Sequence, residues 1–249
     1  MPDELTRLAA RTPEPPAAAG NAADDAVQAV GIGPGAREYL LAAAERHIRT
    51  ADVVVGFESV VDYVADLPTG DVLTCGYDDQ HATLDRFAER VAAGEDGTAV
   101  LMGDPNHSGY QFLGRVEDAV DTPVRVVPGI SSIQVAASRA RTPIEDSRFV
   151  TLHRRGTLDE ERATLRQAVG EDHLLVIPRP YDWMPGDVAG DLIDHGADPG
   201  LDALVFEHLT HEAERRHDTT LGDLAGHAGG DGPDDSPFSD LSILVVRAE

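Results

Sequence analysis

The sequence predicts an α/β protein built from two α/β domains, and three observations point to it. Short apolar runs alternate with amphipathic segments from Val27 to Ala140, the pattern of a mostly parallel sheet with helices on both faces. Three of those runs end in glycine-, proline- and serine-rich turns, at Gly31–Gly35, Gly103–Gly109 and Pro128–Ser132. After a composition shift at Arg141-Thr142-Pro143-Ile144 a second series of apolar runs begins. The expected division is therefore a mobile extension over 1–25, an N-terminal α/β domain over 26–144 and a C-terminal α/β domain over 145–249.

Each element follows from local pattern. The extension carries Arg11-Thr12-Pro13-Glu14-Pro15-Pro16 and an Ala/Gly run, with no sustained apolar period. Val27 to Gly31 reads as a buried strand opening into a glycine loop. Leu41, Ala44 and Ile48 then recur at helical spacing before a strand at Val53-Val54-Val55-Gly56. A short helix around Val60, Val61 and Val64 precedes a strand at Asp71–Cys75, and Leu84, Phe87 and Val91 mark the next helix. Thr98–Met102 is a strand, Tyr110–Val120 a helix, Pro123–Val127 a strand and Ile133–Ala140 a helix. In the second half the apolar runs are Phe149–His153, Leu174–Ile177, Ala203–Phe206 and Leu241–Val246. A helix at Leu158–Val169 and a Gly-interrupted one around Val188–Ile193 separate the first three, and an acidic Gly/Pro/Asp loop spans Gly229–Pro237. No internal repeat is present.

Composition excludes some partners. The chain has 249 residues and a formal net charge of −25, from 45 acids against 20 bases. Such a surface disfavours duplex nucleic acid and anionic membranes, while leaving room for a local basic pocket. Every base is Arg and none is Lys. With its small apolar residues and many acids, the chain reads as one made for a high-salt cytoplasm, where screening lengths fall to about 3 Å and surface acids scarcely repel. Cys75 stands alone, which excludes an internal disulfide and argues for a reducing compartment. No run of about 18 apolar residues occurs, and no signal peptide opens the chain, so a cytoplasmic location is expected.

The glycine loop fits the spacing of the dinucleotide fingerprint G-x-G-x-x-A from Gly31 to Ala36. Two residues speak against it. Pro34 offers no N–H to a pyrophosphate, although its fixed φ suits the first position of a following helix, and the acid required at the end of the second strand is missing because Asp52 precedes Val53. Singly, each of the three loops is also an ordinary strand-to-helix turn; jointly they favour one crevice at the C-terminal ends of the strands. Within it Asp104 can receive hydrogen bonds from loop amides or from a ligand. Ser131 and Ser132 open a helix whose free amides suit a ligand, and His107 and Tyr110 are weak candidates for orienting substrate or moving a proton. Arg154, Arg155 and Arg179 follow strand ends of the second half and are candidates for anchoring carboxylates, or else pair with surface acids. Glu207-His208-Leu209-Thr210-His211-Glu212 lacks the order of a zinc hydrolase motif, and no metal is expected.

Five segments together resemble the tetrapyrrole methylases: V-G-I-G-P-G at Val30–Gly35, A-D-V-V-V-G at Ala51–Gly56, M-G-D-P at Met102–Pro105, P-G-I-S-S-I-Q-V-A-A at Pro128–Ala137 and F-S-D-L-S-I-L-V-V at Phe238–Val246. The resemblance runs from about Val27 to the C-terminus, and the P-G-I-S-S-I-Q and F-S-D-L segments resemble the carbon-5 type within that family. It implies S-adenosyl-L-methionine held in a cleft between two α/β domains. Gly33, Pro34, Gly35, Gly103, Asp104, His107, Ser131 and Ser132 would contact this cosubstrate, with backbone near Ile177 closing over the adenine. It further implies methylation of carbon 5 of the tetrapyrrole cobalt-precorrin-6B, giving cobalt-precorrin-7. Arg154, Arg155 and Arg179 would then meet the carboxylates that ring the macrocycle. A homodimer and a separate carbon-15 methyltransferase/decarboxylase subunit are the implied partners.

Overall fold

The computed structural model describes Arg7 and residues 26–107, 110–229, 232 and 235–248. The expected extension over 1–25 thus lies outside the described residues apart from Arg7, as do Ser108, Gly109 and parts of the Gly229–Pro237 loop. The chain divides into two compact units, Met1–Ser131 and Ser132–Glu249. This boundary falls before the expected crossing at residue 144. The helix Ser132–Ala140 packs on the second sheet and buries Ile133, Val135, Ala136, Ala137 and Ala140.

The first unit runs β1 (Val27–Gly31), α1 (Ala42–Thr50), β2 (Val53–Phe57), α2 (Glu58–Val61), β3 (Asp71–Cys75), α3 (Gln80–Ala92), β4 (Gly97–Leu101), α4 (Tyr110–Ala119) and β5 (Val124–Val127). Its sheet is parallel throughout, in the order β3-β2-β4-β1-β5. β1 and β4 lie inside the sheet and are buried along their whole length, which explains their mostly apolar sequences, with Gln28 and Thr98 the buried polar exceptions. On one face Val27, Ala29, Val53, Val55, Ala99 and Leu101 pack against Leu84 and Phe87 of α3 and Phe112, Leu113 and Val116 of α4. On the other, Val30, Val54 and Val100 meet Ala44 and Ile48 of α1, with Val60, Val61 and Val64. The connection leaving β1 therefore crosses one face toward β2, while that leaving β4 crosses the other toward β5. Adjacent strands whose connections depart in opposite directions open a crevice beyond their C-terminal ends.

The second unit runs α5 (Ser132–Ala140), β6 (Ser147–Thr151), α6 (Asp159–Ala168), β7 (His173–Ile177), α7 (Pro185–Asp194), β8 (Asp202–Glu207), β9 (Arg215–Thr220), α8 (Leu221–Ala225) and β10 (Ser242–Val246). Its order is β6-β7-β10-β8-β9, and only the β6–β7 pair is parallel. The sequence does not announce β9. Arg-Arg-His-Asp-Thr-Thr has no apolar alternation, because this edge strand faces water and gains its place through the ladder with β8. β6 also starts two residues before the expected Phe149, since at the other edge Arg148 and Phe149 are both exposed and blur the pattern. As β7 and β8 are each antiparallel to β10, they run the same way as each other and as β6. The loops after β6, β7 and β8 consequently leave from one end of the sheet.

Candidate functional site

In the first unit the three loops singled out by sequence do meet, and glycine makes it possible. Gly33 and Gly103 form an isolated bridge, with N–O distances of 3.2 and 2.9 Å, across the gap between β1 and β4. Both have positive φ, 83° and 63°, where a side chain would be strained. A Cβ on Gly31 would lie 2.5 Å from the Gly103 carbonyl oxygen, and one on Gly129 would lie 2.1 Å from that same atom. No non-glycine residue fits at either position without moving backbone. The loops beyond β1, β4 and β5 thus form one compact platform of main chain.

Asp104 ties that platform together. Its Oδ1 accepts the Asn106 N–H at 2.9 Å and its Oδ2 accepts the Gly129 N–H at 3.0 Å, so one carboxylate joins the β4 loop to the β5 loop. The His107 N–H donates to the Asp104 carbonyl at 2.9 Å and closes a turn, leaving the His107 side chain exposed. Tyr110 begins α4 and is half-buried against the core behind it. Pro34 is buried, but no helix begins there: Gly35 at φ 146° cannot continue one, a short 3-10 turn occupies Arg37–Tyr39, and α1 starts only at Ala42. Leu41 accordingly sits outside that helix. Ser131, 2 % exposed, closes the first unit, and Ser132 opens α5. Asp52 lies at the opposite end of the sheet, its Oδ2 accepting the Asp96 N–H at 3.0 Å, too far along the strands to meet a ribose at the loop end.

In the second unit charged side chains do what glycines do in the first. Arg179 donates to both carboxylate oxygens of Asp182 and, through Nη1, to the Gly156 carbonyl at 2.9 Å and the Arg154 carbonyl at 3.4 Å. It therefore binds the loop after β7 to the loop after β6. Arg154 pairs with Glu161, while Arg155 is exposed. Ile177 ends β7, its carbonyl accepting the Leu152 N–H at 2.8 Å. Of the three arginines expected to meet carboxylates, Arg154 and Arg179 are thus paired within their own unit.

The Glu207-His208-Leu209-Thr210-His211-Glu212 stretch is a tether. Glu207, 3 % exposed, accepts the Ser239 N–H at 2.6 Å and meets His217 Nε2 at 2.6 Å. Among the described residues no group of three or more His, Cys, Asp or Glu is arranged to hold a metal ion. Cys75 is buried at the end of β3, where desolvation, aided by Asp79, raises its thiol to about 11 and keeps it protonated.

Sequence reasoning missed Tyr181, which sits 45 % exposed on the loop after β7. Its flanking Pro178 and Pro180 were the available signal. It also missed how closely Gly129 approaches Gly103, because a glycine in a turn looks the same whether or not backbone presses on it.

Comparison with known proteins bears on this arrangement. A family model described as tetrapyrrole (corrin/porphyrin) methylases matches residues 26–225. A probable cobalt-precorrin-7 C(5)-methyltransferase of Methanocaldococcus jannaschii is 30 % identical over 88 % of this chain and 97 % of its own length. Among solved structures, that of the methyltransferase CobJ superposes with a TM-score of 0.71 at 20 % identity, covering 90 % of this chain and 94 % of its own. A uroporphyrin-III C-methyltransferase from Thermus thermophilus, complexed with S-adenyl homocysteine, gives 0.62 at 23 % identity over 89 % and 91 %. Among the described residues, no helix is long and apolar enough to cross a membrane.

Proposed function

We propose a reaction for this chain from one premise: it belongs to the tetrapyrrole (corrin/porphyrin) methylases and is a methyltransferase of that kind. In our reading it transfers the methyl group of S-adenosyl-L-methionine to carbon 5 of cobalt-precorrin-6B. The observation that carries the cosubstrate assignment is the glycine platform. Gly31, Gly103 and Gly129 bring three loops of main chain to one point at a topological switch, where a folded ligand without a pyrophosphate needs close backbone approach. Gly33, Pro34, Gly35, Gly103, Asp104, His107, Ser131, Ser132 and the backbone near Ile177 are the residues proposed to hold it. The carbon-5 assignment draws support from the named activity of the M. jannaschii relative, which is matched over nearly its full length.

The chemistry asks little acid–base work of the protein. An electron-rich ring carbon attacks the sulfonium methyl in line, the carbon–sulfur bond breaks toward sulfur, and S-adenosylhomocysteine leaves. Holding the two reactants in that line supplies most of the advantage. His107 and Tyr110 are the side chains beside the platform proposed to orient substrate or take the proton shed afterwards. Arg155, exposed in the structure, is proposed for the macrocycle's carboxylates, joined by the half-exposed Arg154 through the guanidinium nitrogens that its pair with Glu161 does not use, in a chain otherwise dominated by acids. A homodimer and a separate carbon-15 subunit belong to the same proposal, as do a cytoplasmic location and a high-salt working range. Incubation with cobalt-precorrin-6B and labelled S-adenosylmethionine at high salt tests it. Label at carbon 5 supports the assignment, and label at another ring carbon overturns it.

A further inference from the structure

The loop after β7 carries an aromatic residue in a conformation its side chain disfavours. Tyr181 has φ of 77°, in the left-handed region, where glycine is at ease and a bulky residue is an outlier. It is nevertheless 45 % exposed, so burial of its ring compensates only in part. Surrounding structure enforces the conformation. Arg179 and Trp183 exchange two backbone hydrogen bonds, both 3.1 Å, which close the loop beneath Tyr181. Arg179 clamps Asp182 at the loop's far side and reaches across to the Gly156 carbonyl at 2.9 Å. Trp183 is fixed in turn by the Arg162 guanidinium, 4.4 Å above its ring. A tyrosine held rigid, strained and uncovered, next to the loop that presents the exposed Arg155, is placed for contact with a flat, anionic ligand.

Resting on the tetrapyrrole reading above, we propose that Tyr181 is a specificity-determining residue whose ring stacks on the face of the macrocycle, and that Arg179 is the positioning residue that holds it there. The aromatic face supplies affinity for a conjugated ring, and the neighbouring Arg155 supplies charge for its carboxylates. Arg179, already engaged with Asp182 and two carbonyls, acts through the loop.

Trp183 is the only tryptophan in the chain and lies two residues from Tyr181, so its emission reports directly on a porphyrin bound there. The test titrates the full-length protein with uroporphyrin, a flat octacarboxylate, following quenching of Trp183, with S-adenosylmethionine affinity and melting temperature measured alongside. Tyr181→Phe should bind as wild type. Tyr181→Ala and Tyr181→Gly should bind uroporphyrin about five- to thirtyfold more weakly, with S-adenosylmethionine affinity unchanged. Tyr181→Gly should also melt no lower than wild type, because glycine relieves the left-handed strain. Wild-type uroporphyrin affinity in Tyr181→Gly overturns the assignment. So does a parallel loss of melting temperature, uroporphyrin binding and S-adenosylmethionine binding, which would mark Tyr181 as structural only. Absence of saturable quenching in the wild type overturns the tetrapyrrole reading together with the proposal.

Discussion

In the first unit the loops at the strand ends are held by main chain, through the Gly33–Gly103 bridge and the near-contact of Gly31 and Gly129 with the Gly103 carbonyl. In the second unit the corresponding loops are held by side chains, chiefly Arg179 with Asp182 and the carbonyls of the β6 loop. The difference is one of tolerance. A backbone platform has no slack, so a single Cβ disrupts it, whereas a charged clamp spans a wider gap and loses one arm at a time. It also suits the two proposed ligands: a cosubstrate met at close range by amides, and a larger macrocycle met by long side chains.

Substitutions should separate the two kinds of platform. The largest effect is expected from Gly129→Ala, whose Cβ would sit 2.1 Å from backbone. Overpacking of this kind costs about 1–3 kcal/mol, read as a lower urea midpoint, and S-adenosylmethionine affinity should fall more than about tenfold. Asp104→Asn comes next. It keeps one acceptor oxygen and replaces the other with a donor amide, so either the Gly129 N–H or the Asn106 N–H loses its partner at about 1–3 kcal/mol, read as a lower melting temperature, and cosubstrate affinity should fall about tenfold in calorimetry.

Arg179→Ala should weaken porphyrin binding about tenfold by loosening the loop, and leave S-adenosylmethionine binding intact. Replacing Arg154 and Arg155 together should cost about 1 kcal/mol or less per side chain in porphyrin binding, the scale of exposed charge pairs, and should fade in molar salt. Equal loss of both ligands in this pair would remove the division of labour.

The smallest effect concerns pH. Burial pushes the Asp191 carboxyl upward, but hydrogen bonds from Arg166 and Arg162 outweigh it and leave the group below the usual carboxylate range. The folded value is thus depressed, so its contribution to stability is complete above the unfolded value of about 3.9 and is lost as pH falls through the folded value. Asp191→Asn should flatten the acid limb of the melting profile below about pH 4 and leave the neutral range lower by a constant amount.

What could be read from the sequence follows burial. β1, β2 and β4 are predominantly apolar because neighbours flank them on both sides, with Gln28 and Thr98 the buried polar exceptions, and each was legible at nearly its observed bounds. β9 was invisible because an edge strand facing water needs no apolar alternation, and the antiparallel course of β10 and β9 depends on partners far away in the chain. The loop platform could be located, since Gly, Pro, Asp and Ser at successive strand ends have a common cause. Its tightness could not, because contact between Gly31, Gly103 and Gly129 exists only once β1 lies between β4 and β5. Arginine roles were least legible. Arg155 and Arg179 look alike in sequence, yet one is exposed and the other is spent on Asp182 and two carbonyls.

The most direct measurement is a calorimetric titration of the full-length protein with S-adenosylmethionine and, separately, with NAD, repeated on Asp104→Asn. The expected result is saturable binding of S-adenosylmethionine to the wild type, at least tenfold weaker in the variant, and no binding of NAD to either. Saturable NAD binding, or S-adenosylmethionine binding indifferent to Asp104, would contradict the assignment of the glycine platform.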